Sequence, residues 1–122
     1  MKAMLGCLIL LASILLGAFF YSSQMSHTAE HFAQRVTDFY STSEDERGDL
    51  IAKLVTEWKK QEILFSLGIP HSELDRIETE FVHLSAAAEA KDDGEFYLAV
   101  ALLSDAFKHV GNLYEASLDN IL

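Results

Sequence analysis

The chain has 122 residues, one Pro, six Gly and a single Cys, with nine Lys and Arg against nineteen Asp and Glu for a formal charge of −10. That length allows one modest core and no second lobe, and so few Gly and Pro exclude a loop-rich or low-complexity protein. Because Lys2 precedes the first apolar run, the rest carries eight Lys and Arg against nineteen acids; such a body repels phosphate backbones and anionic headgroups, so nucleic acid is excluded as a partner.

Ala3 to Tyr21 is an uncharged run of 19 residues, which at about 1.5 Å per residue covers the roughly 30 Å hydrocarbon core of a bilayer. The reading is a membrane anchor over residues 1–23. A cleaved signal peptide is the rival, but it needs small residues just after the apolar stretch, and the exit here reads Phe19, Phe20, Tyr21. Phe20 and Tyr21 suit an interfacial aromatic belt. Met4-Leu5-Gly6-Cys7 imitates a lipoprotein cleavage box with its hydrophobic region on the wrong side. Lys2 and the α-amino group lie before the run and the first charge after it is Glu30, so the positive-inside rule puts the N-terminus in the cytoplasm and the acidic part outside. Cys7 falls within the run, leaving the remainder without thiols for a disulfide or a thiolate metal site.

Residues 24–122 read as an acidic helical bundle, with helices at about 24–42, 44–67, 72–90 and 94–119. Ala29, Phe32, Val36 and Phe39 follow 3-4-3 spacing, so the anchor helix is expected to continue out of the membrane as a stalk. Ser43-Glu44-Asp45-Glu46 has the form of a capping box for a second helix, with Leu50, Leu54, Val55, Trp58 and Phe65 on one face before Gly68 and Pro70 end it. Ser72 to Asp75 is expected to cap a third, with Leu74, Ile77, Phe81, Leu84 and Ala88 in phase. Asp92-Asp93-Gly94 interrupts again, and the last helix carries Phe96, Val100, Leu103, Phe107, Val110, Tyr114 and Leu118. Long helices with short connections fold back on their neighbours. The expected fold is therefore all-α: a transmembrane helix continuing into an up-down antiparallel four-helix bundle. The Gly68-Ile69-Pro70 turn and the C-terminus then return to the membrane end, and both acidic turns lie at the far end.

The second half resembles an uncharacterised bacterial domain-of-unknown-function family, numbered four-three-six-three, of small proteins with one N-terminal membrane segment. The residues that carry the resemblance are Trp58 on a helix, His71-Ser72-Glu73-Leu74-Asp75-Arg76-Ile77 after a short turn, Lys91-Asp92-Asp93 before the last helix, and Leu118-Asp119-Asn120-Ile121 near the end. The resemblance implies no catalytic residue, substrate or cofactor. It does imply a neighbouring membrane protein as partner.

Several constellations could carry chemistry. His27-Thr28-Ala29-Glu30-His31 matches H-x-x-E-H, and i, i+4 spacing places both imidazoles on one helical face, as a zinc hydrolase requires. The plainer reading is two polar histidines on a stalk, since the third ligand is not identifiable and no cleft-forming lobe exists. Glu80 and His83 form one E-x-x-H where di-metal bundles need two; off the Leu74-Ile77-Phe81-Leu84 face, they are expected to point to solvent. Trp58 reads as core rather than a ligand platform, and His71 as a turn-shaping residue. Glu44, Asp45, Glu46 and Asp49 should meet Asp92, Asp93 and Glu95 at the distal tip, where they offset helix dipoles or form a weak site for a divalent cation or basic partner. At the other tip the apolar chain end either packs against the turn at Ile69 or docks onto a neighbouring membrane protein or the membrane interface, which makes Ile69, Asn120, Ile121 and Leu122 the expected partner-binding residues. Taken together these residues predict a non-enzymatic, cofactor-free accessory module for another membrane protein, tethered to the bilayer, with homo-oligomerisation left open. A metal-binding bundle or small hydrolase using His27, Glu30 and His31, and an extracytoplasmic sensor, are the alternatives.

Overall fold

A computed structural model describes residues 1–121. Helix α1 runs from Lys2 to Thr37 and tightens into a 3-10 turn at Asp38–Ser41; α2 spans Glu44–Ser66, α3 His71–Glu89 and α4 Asp93–Ile121. No strand occurs among the described residues. The expected all-α bundle with a long apolar first helix is what forms.

Cross-helix contacts fix the topology. Along α1 the partners on α4 descend, Tyr21 meeting Tyr114, Ser26 meeting Gly111, Phe32 meeting Phe107 and Phe39 meeting Phe96, so these helices are antiparallel. The α1–α2 pairs Tyr21–Leu64, Phe32–Trp58 and Arg35–Glu57 descend likewise. Arg76–Asp105 and His83–Glu95 show the same for α3 and α4. Trp58 against Phe107 and Phe65 against Tyr114 ascend together, as a parallel diagonal pair should. Small side chains set the spacing: Ser26 and Ala29 face Gly111, with Ala33 buried one turn further on, and let α1 and α4 approach closely, whereas α2 stands off from α1 behind the bulky Phe32–Trp58 pair.

The predicted apolar stripes form the core, with corrections at the margins. Ala29, Phe32, Val36 and Phe39 are all buried, as is the α4 series from Phe96 to Tyr114, while Leu118 is half-buried. On α2 the buried face is Arg47, Ile51, Leu54, Trp58 and Phe65; Leu50 is exposed and Val55 only half-buried. On α3 Ala87 is buried and Ala88 half-buried.

The helix starts also differ from expectation. Ser43 occupies the cap position of α2, but its hydroxyl makes no cap bond; its carbonyl accepts the Glu46 N–H (3.1 Å) in a tight turn instead. For α3 the cap is Pro70, held extended, whose carbonyl accepts the Glu73 N–H (3.1 Å), so Ser72 lies inside the first turn and His71 opens it, exposed. Proline's fixed φ suits the step from extended chain into helix.

Between α3 and α4, Lys91 is in the left-handed region at φ 56, and the Asp92 N–H reaches back to the Ala87 carbonyl (3.0 Å) in a Schellman-type closure. Asp92 then caps α4, its carboxylate accepting the Glu95 N–H at 3.1 Å. A β-carbon is unfavourable at that φ, so Lys91→Gly is expected to stabilise the fold by about 0.5–1 kcal/mol, read as a raised midpoint in chemical denaturation. No gain, or a loss, would show that the Lys91 side chain supports the turn.

From Ala3 to Gly17 every residue of α1 is exposed, with Leu8, Leu11, Leu15 and Leu16 touching nothing else in the bundle core. This helix is long and apolar enough to cross a membrane. Packing against α4 begins at the end of that run, where Ser22, Met25 and Ser26 are buried.

Candidate functional site

Two tyrosines organise the end of the bundle where the apolar run finishes. The Tyr21 hydroxyl donates to the Leu64 carbonyl and the Tyr114 hydroxyl to the Phe65 carbonyl (3.0 Å), both in the last turn of α2, each as an added donor beside the backbone N–H of Leu67 on Leu64 and those of Gly68 and Ile69 on Phe65. Their rings meet edge to face at 5.7 Å. With each proton committed to a carbonyl, the two oxygens simply abut at 3.1 Å. Burial, together with the neighbouring Tyr21 hydroxyl, pushes Tyr114 well above the ordinary tyrosine range, so it stays protonated as a donor. Gly68 passes directly beneath: a β-carbon there would lie 2.7 Å from Tyr114 Cε1 and 2.9 Å from the Tyr21 hydroxyl. Tyr21 therefore turns inward as a clasp for α2, and Phe20 remains the outward aromatic of the expected belt.

The expected partner-binding residues at this end separate. Ile69 is buried in the core, because the Gly68 and Ile69 N–H groups both fold back onto the Phe65 carbonyl. Asn120 is exposed on the last turn of α4, which continues past Tyr114; Ile121 ends that helix, and Leu122 lies outside the described residues. The exposed apolar side chains are ones the sequence reading did not single out: Ile63 (72 % exposed), Leu67 (73 %) and Leu64. A signal was available, since Ile63 to Pro70 contains no charged residue.

One flank of the bundle holds an open cleft of about 430 Å³ between α1 and α4, floored by Ser26, Ala33 and Gly111 and walled by Glu30, Gln34, Lys108 and Asn112. It exists because the small residues that bring these two backbones together leave no bulk to fill the outer groove.

At the opposite end both acidic turns are present, but they are organised by a residue absent from the expected set. Arg47 is 4 % exposed, pairs with Asp93 (2.7 Å), donates to the Tyr97 hydroxyl (3.2 Å) and lies 4.0 Å over the Phe96 ring. Asp92 caps α4 and Glu95 binds His83, while Glu44, Asp45, Glu46 and Asp49 stay exposed on α2. Three of the seven carboxylates are thus engaged within the fold. Among the described residues no group of three His, Cys, Asp or Glu could hold a metal ion.

The histidine motifs fall on different surfaces. His27, Glu30 and His31 are exposed along α1, with Glu30 on the cleft wall. Glu80 and His83, expected in solvent, are half-buried: the short α3–α4 turn lays the first turn of α4 across them, so His83 Nε2 meets Glu95 at 2.9 Å and Nδ1 meets Glu80 at 3.3 Å. Bonding to Glu95 first, then Glu80, raises the His83 pKa above its ordinary 6.5. A raised folded-state pKa means that this stabilisation is complete below the unfolded value and disappears as pH climbs through the folded one. Wild type is therefore expected to exceed His83→Gln in melting temperature at pH 5.5 and to lose that margin by about pH 8.5, a modest effect of up to ~1 kcal/mol for so accessible a group. A difference constant over that range would rule the histidine out as its origin.

Trp58 lies inside the core at 1 % exposure, as expected. No curated protein and no solved structure matches this chain. Residues 19–121, which hold the tyrosine clasp, the cleft and both turns, match the family described as Domain of unknown function (DUF4363), and the chain belongs to that family.

Proposed function

We propose that this protein is a non-enzymatic, membrane-anchored accessory module: α1 crosses the bilayer with its N-terminus in the cytoplasm, and the bundle stands outside, where its α1–α4 flank engages another membrane protein. The observation that carries this reading is the open cleft of about 430 Å³, which starts just beyond Tyr21 and presents Glu30, Gln34, Lys108 and Asn112 around a floor of small residues. Amide and charged groups on rigid helices around a shallow apolar floor suit recognition of a protein segment by hydrogen bonds. Its position keeps it within reach of a partner embedded in the same bilayer.

The test is site-specific photocrosslinking in cells from positions 34 and 112, with exposed Thr79 on α3 as control. One discrete integral membrane protein should be captured from both cleft positions and not from position 79. Asn112→Arg should abolish capture from position 34. Capture of only a second copy of this chain, or equal capture from position 79, would overturn the reading.

A further inference from the structure

We propose that the end of α2 is a second membrane contact, with Ile63, Leu64 and Leu67 seated in the headgroup zone of the bilayer that α1 crosses. The clasp fixes the height of this patch, because the Tyr21 hydroxyl is bonded to the Leu64 carbonyl at the residue where the apolar run of α1 ends. Since α2 runs antiparallel to α1, moving C-terminally along α2 moves toward the membrane. Leu67 therefore lies about 6 Å deeper than Ile63 at 1.5 Å per residue, level with the last apolar turns of α1.

The chemistry suits lipid as the occupant. Ile63 and Leu67 are 72 % and 73 % exposed, and Phe20, at the same level of α1, is 67 % exposed. Bulky aliphatic side chains grouped in this way need cover. On the same helix the outward residues one to three turns earlier are Lys53, Thr56, Lys59 and Lys60, so the surface changes from charged to apolar at the height where α1 enters its apolar run. Ile63 to Pro70 contains no acid, in a body with nineteen of them, so the tip of α2 itself adds no charge repulsion against the headgroups. On α4, Glu115 and Asp119 are exposed at this end, which holds it in the headgroup zone and out of the hydrocarbon core. Two contacts, α1 and the α2 tip, set the tilt of the bundle and hence the direction in which the cleft faces.

This inference rests on α1 crossing the bilayer, and the experiment separates the two. Full-length protein with Cys7→Ser is given one new cysteine at position 63, 67, 9 or 48, labelled with an environment-sensitive fluorophore and reconstituted in phosphatidylcholine vesicles. Labels at 63 and 67 should be quenched several-fold more by a headgroup nitroxide than the label at 48, with 67 protected from aqueous iodide more than 63. The label at 9 should respond to bromines deep in the acyl chains. If 9 fails to respond, the spanning reading falls; if 9 responds while 63 and 67 behave like 48, the second contact falls. Protection of 63 and 67 that fades as protein is diluted into lipid would assign the patch to a second copy and equally overturn the proposal.

Discussion

Replacing Trp58 with alanine is expected to cost the bundle about 3–5 kcal/mol, the range for removing a fully buried aromatic side chain. This one ring touches every helix: Phe32 of α1 edge-on at 5.8 Å, Phe65 of α2 at 5.2 Å, Phe81 of α3 at 6.4 Å and Phe107 of α4 at 5.4 Å. Truncation opens a cavity at the point where four separately packed helices share a neighbour, so no single local shift can fill it. Trp58→Phe should be milder, about 1–2 kcal/mol, because the indole N–H is buried without a hydrogen-bond partner and only volume is lost. Denaturation of the full chain in mild detergent, followed by near-ultraviolet circular dichroism, gives both values. A cost below about 1 kcal/mol for the alanine variant would show that the aromatic cluster is not what holds α2 to the rest.

The same cluster shows why the architecture could be read from sequence. Helices this long repeat their apolar residues often enough for the period to be unambiguous, and Pro70 and the Asp92-Asp93-Gly94 segment interrupt it where the turns form. Errors arose where two adjacent residues competed for one inward position. Leu50 and Ile51 are both apolar, but counting back from Trp58 and Leu54 at 3.6 residues per turn lands nearer 51, which is the buried one. One further turn back lies Arg47, so the burial of this arginine followed from the same count. It was missed because a charged residue among Glu44, Asp45, Glu46 and Asp49 reads as surface. Phe96 and Tyr97, which receive its guanidinium, are 49 and 50 positions away, and no local pattern announces such a pairing.

The site divides in the same way. That two chemically different tips exist follows from up-down order, and the sequence reading placed its expected partner-binding residues at the one where the apolar run of α1 finishes. Which side chains are exposed there depends on the path of a four-residue connection. Gly68 and Ile69 fold back onto the Phe65 carbonyl, which turns Ile69 inward and leaves Leu67 outward. The tyrosine clasp joins residues 93 positions apart and has no sequence signature, although both members fall at the ends of readable apolar stripes.

Gly68→Val tests whether that clasp sets the position of the α2–α3 turn. The backbone at Gly68 has no positive φ, so an ordinary side chain meets no torsional objection, and the demand is for space alone. A β-carbon would sit 2.7 Å from Tyr114 Cε1, 2.8 Å from its hydroxyl and 2.9 Å from that of Tyr21. Either the turn lifts off or both rings withdraw, and each route breaks hydrogen bonds to the exposed carbonyl end of α2. Overpacking of about 1–3 kcal/mol and about 1 kcal/mol for each of the two lost bonds lead to an expected destabilisation of roughly 3–5 kcal/mol. Since the contact is with specific side chains, the loss should couple to them: in a Tyr114→Ala background Gly68→Ala should cost markedly less than in wild type. Equal costs in the two backgrounds would mean that the glycine serves the turn itself. A coupled loss would also move Ile63 and Leu67 relative to the end of the apolar run, so the Gly68→Val chain should show weaker headgroup quenching at those positions while α1 remains inserted.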